Sequence, residues 1–178
     1  MPTYVALLRG INLGSHNKVP MAALRTVVEG LGYDDVSTYI QSGNVVLTST
    51  DSAAKVASAL QKAIAKEFGI DVAVVVRSRP QLKKIVDGNP FAKKAKEAGH
   101  LHVVFLAGKP KADKVKALTS AEWGDDEVAV KGTEAYLHLP NGYGRAKLNN
   151  MLVEKQLGVA GTARNWRTTT KLLELAGG

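Results

Sequence analysis

Three short segments of this chain, Tyr4-Val5-Ala6-Leu7-Leu8, Val72-Ala73-Val74-Val75-Val76 and Val103-Val104-Phe105-Leu106-Ala107, carry no charged residue. A strand with one face in water alternates polar and apolar residues, so segments of this kind read as strands buried on both sides. Two helices cover only one face of a small sheet. The other face needs a cover of its own, from the rest of the chain or from a second copy of it. Val74, Val76, Val104 and Leu106 are therefore expected to be inaccessible, and a structural homo-oligomer is one way to make them so.

Around these segments the sequence spells a familiar order. Residues 3–9 read as a strand, followed by a loop over 10–18 and a helix that starts near Pro20 and runs to Leu31, with Gly32 as its stop. Residues 36–41 and 45–49 read as strands joined by the turn Ser42-Gly43-Asn44. Asp51 or Ser52 caps a second helix, in which Val56, Leu60, Ala63, Ile64 and Phe68 recur at helical spacing up to Gly69, and residues 72–76 form a fourth strand. Strand-helix-strand-strand-helix-strand is the ferredoxin-like plan. The second half nearly repeats it: a strand over 101–107, a helix over 110–119, a hairpin over 127–131 and 135–139, and helices over 145–157 and 166–175. The expected fold is thus α+β, with two ferredoxin-like-related subdomains: βαββαβ over 1–78, then a variant βαββαα unit over 79–178. A lysine-rich connection over 78–99, holding Pro80, Asn89 and Pro90, joins them.

Composition narrows the chemistry. With 178 residues, 45% of them hydrophobic, the chain buries a real core. The absence of cysteine excludes disulfides, thiolate catalysis and the common zinc frameworks. No basic leader and no apolar run of membrane-spanning length are present, which gives a cytoplasmic location and no membrane partner as the expectation. Net charge is +8, and it is concentrated: residues 77–116 hold eleven Lys or Arg against Asp87, Glu97 and Asp113, while the rest of the chain holds thirteen of each sign. Such a stretch suits an anionic partner such as nucleic acid, and lysines spaced along solvated helices are the plainer account of it.

Three loops combine cations with a helix start: 9–18, 141–147 and 162–167. Acidic residues are favoured in a first helical turn, and a cation there costs about 0.3–1 kcal/mol. Three such placements point to a compensating anion held by backbone N–H groups and arginines. The alternative is that these arginines hydrogen-bond carbonyls or carboxylates elsewhere in the protein. The glycines of 10–14 match neither a P-loop nor G-x-G-x-x-G. Tyr143 and Trp166, each close to arginines, are candidates for stacking on a base, although a Trp at a helix start more often anchors a core. His100 and His102 fall on one face of a strand but lack a third ligand, His138 lies on another strand, and Asp125-Asp126-Glu127 reads as an acidic turn, so no metal site is expected. Nothing resembles a nucleophile elbow. No catalytic residue and no cofactor are assigned.

The segments Tyr-Val-Ala-Leu-Leu-Arg-Gly-Ile-Asn-Leu-Gly (4–14), Asn-Lys-Val-Pro-Met (17–21), Thr-Tyr-Ile-Gln-Ser-Gly-Asn-Val-Val (38–46), Pro-Asn-Gly-Tyr-Gly-Arg (140–145) and Thr-Ala-Arg-Asn-Trp-Arg-Thr (162–168) resemble the signatures of one bacterial family. It is catalogued as a domain of unknown function, number sixteen ninety-seven. The resemblance implies two ferredoxin-like-related subdomains and supplies no activity. Arg9, Asn12, Lys18, Gln41, Ser42, Asn44, Asn141, Arg145, Lys147, Arg164, Asn165 and Thr168 match the family's polar positions. Ser15 and His16 depart from it, standing where Gly and a basic residue are common, and Ala146 stands where Ser is common. With Tyr143 and Trp166 these motif residues, Thr168 aside, form the candidate ligand-binding set. Three functions are then open: a module binding nucleic acid or a phosphorylated small molecule through cationic loops, an enzyme acting on a small anionic substrate, and a structural homo-oligomer. A standard RNA recognition sheet is unsuitable, because Val45-Val46-Leu47-Thr48 offers no aromatic pair.

Overall fold

In the computed structural model, which describes residues 1–177, the first apolar segment forms strand β1 (Thr3–Leu8). Helix α1 (Met21–Gly30), strands β2 (Asp34–Thr38) and β3 (Asn44–Thr48), helix α2 (Ala53–Phe68) and strand β4 (Val74–Ser78) follow. They make a four-stranded sheet ordered β2-β3-β1-β4, with every neighbouring pair antiparallel. This is the ferredoxin-like arrangement. Helix α2 shows why the boundaries were readable: Ser52 accepts a hydrogen bond from the Lys55 N–H at its start, and Gly69 ends it at φ 68°. Tyr4, Ala6 and Leu8 of β1 share one core with Val45, Leu47 and Val76 of the sheet, and with Leu24, Val28, Val56, Leu60 and Ile64 of the two helices.

The intervening residues Val5, Leu7, Val46 and Val75 are buried too, as the two-faced apolar reading requires. Val76 is buried and Val74 partly so, but both belong to the helix-side core, not to the opposite face. In the second unit Val104 and Leu106 likewise turn to the helix side, while Val103 and Phe105 are buried opposite.

The chain continues through helix α3 (Arg79–Asp87), strand β5 (Leu101–Leu106), helix α4 (Ala112–Ser120), strands β6 (Glu127–Lys131) and β7 (Glu134–His138), helix α5 (Asn150–Leu157), strand β8 (Gly161–Asn165) and helix α6 (Trp166–Leu175). The second sheet is ordered β6-β7-β5-β8, the same plan as the first. The variant βαββαα ending is thereby corrected, since a closing strand precedes the last helix. β8 escapes a pattern search because its helix-side positions are Gly161 and Ala163, and its other face carries Arg164. A Cβ at Gly161 would lie 2.8 Å from Val104 Cγ1, so close packing forbids the larger apolar residue that would have marked a strand.

The lysine-rich connection is also partly helical. Ser78 N donates to Gln81 Oε1 at 2.8 Å and Gln81 N to Ser78 Oγ at 3.4 Å, a reciprocal cap that launches α3 and buries Leu82 and Ile85. Helix α5 begins at Asn150, not near Arg145, because the Asn149 side chain accepts from the Leu152 N–H. The chain divides into one unit of Met1–Lys84 with Leu172–Gly178 and another of Ile85–Lys171, the division falling inside α3 and α6. No helix among the described residues is long and apolar enough to cross a membrane.

Candidate functional site

In the first unit the motif residues gather at the C-terminal end of β1. Arg9 is exposed, and its N–H donates to Ala73 O at 3.0 Å. The loop then turns through Gly10, Asn12, Gly14 and Asn17, all at positive φ. Asn12 holds it together. Its Nδ2 donates to Val19 O at 2.9 Å and to Gln41 O at 2.8 Å, and its Oδ1 accepts from Val19 N at 2.8 Å. Fully buried Asn44 donates to Tyr39 O and to Ser42 Oγ at 2.8 and 2.9 Å. Asn12 therefore joins the 9–18 loop to the 39–44 turn, and Asn44 with Ser42 holds the turn itself together. The Lys18 and Gln41 side chains are exposed and make no hydrogen bond among the described residues.

In the second unit two of the three loops meet. His102 of β5 is paired across the ladder with Asn165 of β8, and its ring lies 4.7 Å from that of Tyr143, tilted by 34°. The Tyr143 hydroxyl accepts a hydrogen bond from the Asn150 N–H, the first residue of α5, at 3.0 Å. Tyr143 is thus fixed at both ends, yet 37% of its surface remains exposed. His102 is only 9% exposed, and burial lowers its pKa to about 4, so the imidazole is neutral at pH 7. Its Nδ1 has no hydrogen-bond partner among the described residues, and neither has the buried Oδ1 of Asn150. Arg145 and Arg167 stand two residues beyond Tyr143 and Asn165, exposed and without an ion pair among the described residues. The Lys147 side chain is exposed and unpaired as well.

Other members of the set have structural tasks. Arg164 is buried on the β8 face away from the helices, where Nη1 donates to Thr162 Oγ1 at 2.6 Å and to Ala163 O at 2.9 Å. Burial lowers its pKa to about 10. Asn165 Oδ1 accepts from Thr168 N at 2.8 Å and caps α6. Trp166, the first residue of α6, is half-buried and accepts from Thr170 Oγ1 through its carbonyl. Asn141 Nδ2 donates to Asp125 at 3.3 Å and the Lys147 N–H to Asp126 at 3.0 Å, so the acidic turn braces this loop. Because α5 starts at Asn150, Arg145 and Lys147 precede its first turn. Lys18 precedes the Pro20 cap of α1 in the same way. The expected conflict between cations and helix dipoles is left at Arg167 alone.

Sequence reasoning missed His102 as a neighbour of the 141–147 loop. It had been paired with His100, which instead belongs to a short helical turn and lies 3.4 Å from Glu97. His138 bonds Glu127 at 2.9 Å from the opposite sheet face. No three His, Asp or Glu side chains gather as a metal site among the described residues.

Residues 1–136 match the family described as "Protein of unknown function (DUF1697)". The chain belongs to this family. Its matched part ends within β7, so the 140–145 and 162–168 segments of this DUF1697 protein lie beyond it. A solved structure, that of a conserved bacterial protein from Streptococcus pneumoniae, is 25% identical, with 98% of each chain covered and a TM-score of 0.78. That likeness spans both units and extends the shared fold past the matched residues. No curated protein matches the chain.

Proposed function

We propose that this DUF1697 protein binds a phosphate-bearing ligand, a nucleotide or a single-stranded nucleic acid, on the second unit where the 141–147 loop meets the end of β8. The observation that carries the reading is the exposed Tyr143 ring, buttressed by His102, with Arg145 two residues further along its loop and Arg167 two residues beyond Asn165, the ladder partner of His102, neither arginine holding an ion pair among the described residues. An aromatic face that is held rigid and left wet suits a base, since stacking is worth about 1–3 kcal/mol and needs no base-specific contact. Arg145, Lys147 and Arg167 supply donors for phosphate oxygens, the two arginines in a planar fork that matches them. Asp125 and Asp126 moderate the local positive field, consistent with modest affinity. In the first unit Lys18 and Gln41 are additional candidates for ligand contact.

Fluorescence titration with a labelled thymidine oligonucleotide at two salt concentrations tests the reading. Affinity is expected to fall steeply with salt, and Arg145→Ala is expected to flatten that slope by about one phosphate contact. At about 100 times Kd, bound nucleotide raises stability by roughly 2.7 kcal/mol, an increment Arg145→Ala should largely remove. Salt-independent binding, or equal responses from wild type and variant, would count against the assignment.

A further inference from the structure

The proposed site leaves unused the lysines on and before α4. Lys109, Lys111, Lys114 and Lys116 share their segment with one carboxylate, Asp113, and none of the four holds an ion pair among the described residues. Beside them runs a groove of about 440 Å³, lined by the apolar Pro110, Val115 and Val130 together with Lys109, Lys116 and Thr119. Val130 brings the end of β6 into that lining, and β6 ends the sheet order and so has no strand neighbour on its outer side. Lys131 and Glu134 close the β6–β7 hairpin around two turn residues, the first of them Gly132 at φ 60°. In such a hairpin the closing pair is hydrogen-bonded and bonding alternates back along the ladder. Ala129 and Glu127 accordingly bond β7, while Val128 and Val130 turn their N–H and C=O groups outward. The Val128 and Val130 side chains pack on the core.

We propose that this edge and groove capture an acidic peptide segment in extended form, adding it to the second sheet as a fifth strand. Each part of the surface matches one part of such a partner. The outward main-chain groups of Val128 and Val130 present donors and acceptors at the spacing that another strand matches. Every second side chain of the guest meets the apolar residues of the groove. The intervening carboxylates meet lysines that hold no ion pair among the described residues. Nucleic acid would satisfy the lysines and leave the edge unpaired, and for that reason the peptide is the occupant the geometry favours.

The probe is an acetylated peptide of alternating valine and glutamate, about six residues long to match a strand, titrated into the full-length isotope-labelled protein. Saturable shifts at Val128 and Val130, with slowed amide exchange at both, are expected. The double variant Lys109→Glu, Lys116→Glu should weaken binding about tenfold, since each exposed charge contact is worth less than about 1 kcal/mol. The same peptide N-methylated at alternate residues should not bind. The proposal is overturned if the acidic peptide fails to bind, if a valine–lysine or N-methylated peptide binds equally well, or if the shifts fall on β8. It is equally overturned if a thymidine oligonucleotide takes the same lysines while Val128 and Val130 exchange at their free rate.

Discussion

A methyl group at position 43 would lie 2.6 Å from Ile11 Cδ1 and 2.9 Å from Leu8 Cβ, on a backbone with φ of 91°. Gly43→Ala is therefore expected to lower stability by about 2–4 kcal/mol, read as a shift in the urea midpoint, because both the conformation and the space oppose it. His102 gives a second residue-level expectation. Its folded pKa of about 4 lies below the ordinary 6.5, so the unfolded chain takes up a proton first as pH falls. Stability that is fully present above pH 6.5 is lost progressively down to about pH 4, by up to about 3 kcal/mol. His102→Phe keeps a ring against Tyr143 and should abolish that part of the loss, measured as urea midpoints at pH 7 and pH 5; equal acid sensitivity in the two proteins would contradict the assignment. At this scale the sequence marked Asn12 and Asn44 as special without revealing why. Their partners are mostly main-chain groups, one of them on Gln41, 29 residues from Asn12, and no local pattern records such a bond.

Helix α3 carried a legible signal that composition masked. Ser78-Arg79-Pro80-Gln81 has capping-box spacing, with Pro80 near the helix start where proline is tolerated, but its lysines and arginines made the stretch resemble a linker. Gln81→Ala is expected to cost about 0.5–2 kcal/mol in thermal or urea unfolding, in line with the loss of a cap. No comparable cue existed for β8. A strand built from Gly161, Thr162, Ala163, Arg164 and Asn165 is fixed by what lies against it, the small residues by Val104 and Leu106 and the arginine by Thr162. In the first unit β1, β3 and β4 were readable because they carry their own apolar content, whereas β2, with Val36 as its one apolar residue, was read a few residues late. In the second, β5 and the β6–β7 hairpin were readable for the same reason and the helices α4 and α6 were placed as well, whereas β8 and the true start of α5 were not.

Across the whole molecule one strand order is used twice, yet the two units are not laid out alike along the chain. The second is continuous, whereas the first recovers its last segment, from Leu172 onward, only after the second is complete. Leu172 and Ala176 are buried there, and Arg79 Nη2 donates to Gly177 O at 2.8 Å. Ending the chain at Lys171 is therefore expected to destabilise the first unit selectively, with faster amide exchange in β1 and α2 and little change in β5 and β7. The same layout governs events on the ribosome. With synthesis at about 5–20 residues per second, residues 1–84 wait on the order of ten seconds for the final turn of α6 to emerge. A nascent chain at the close of that interval has its middle section complete before its beginning can be finished, and throughout the wait the unfilled place of Leu172 lies open to chaperone or protease.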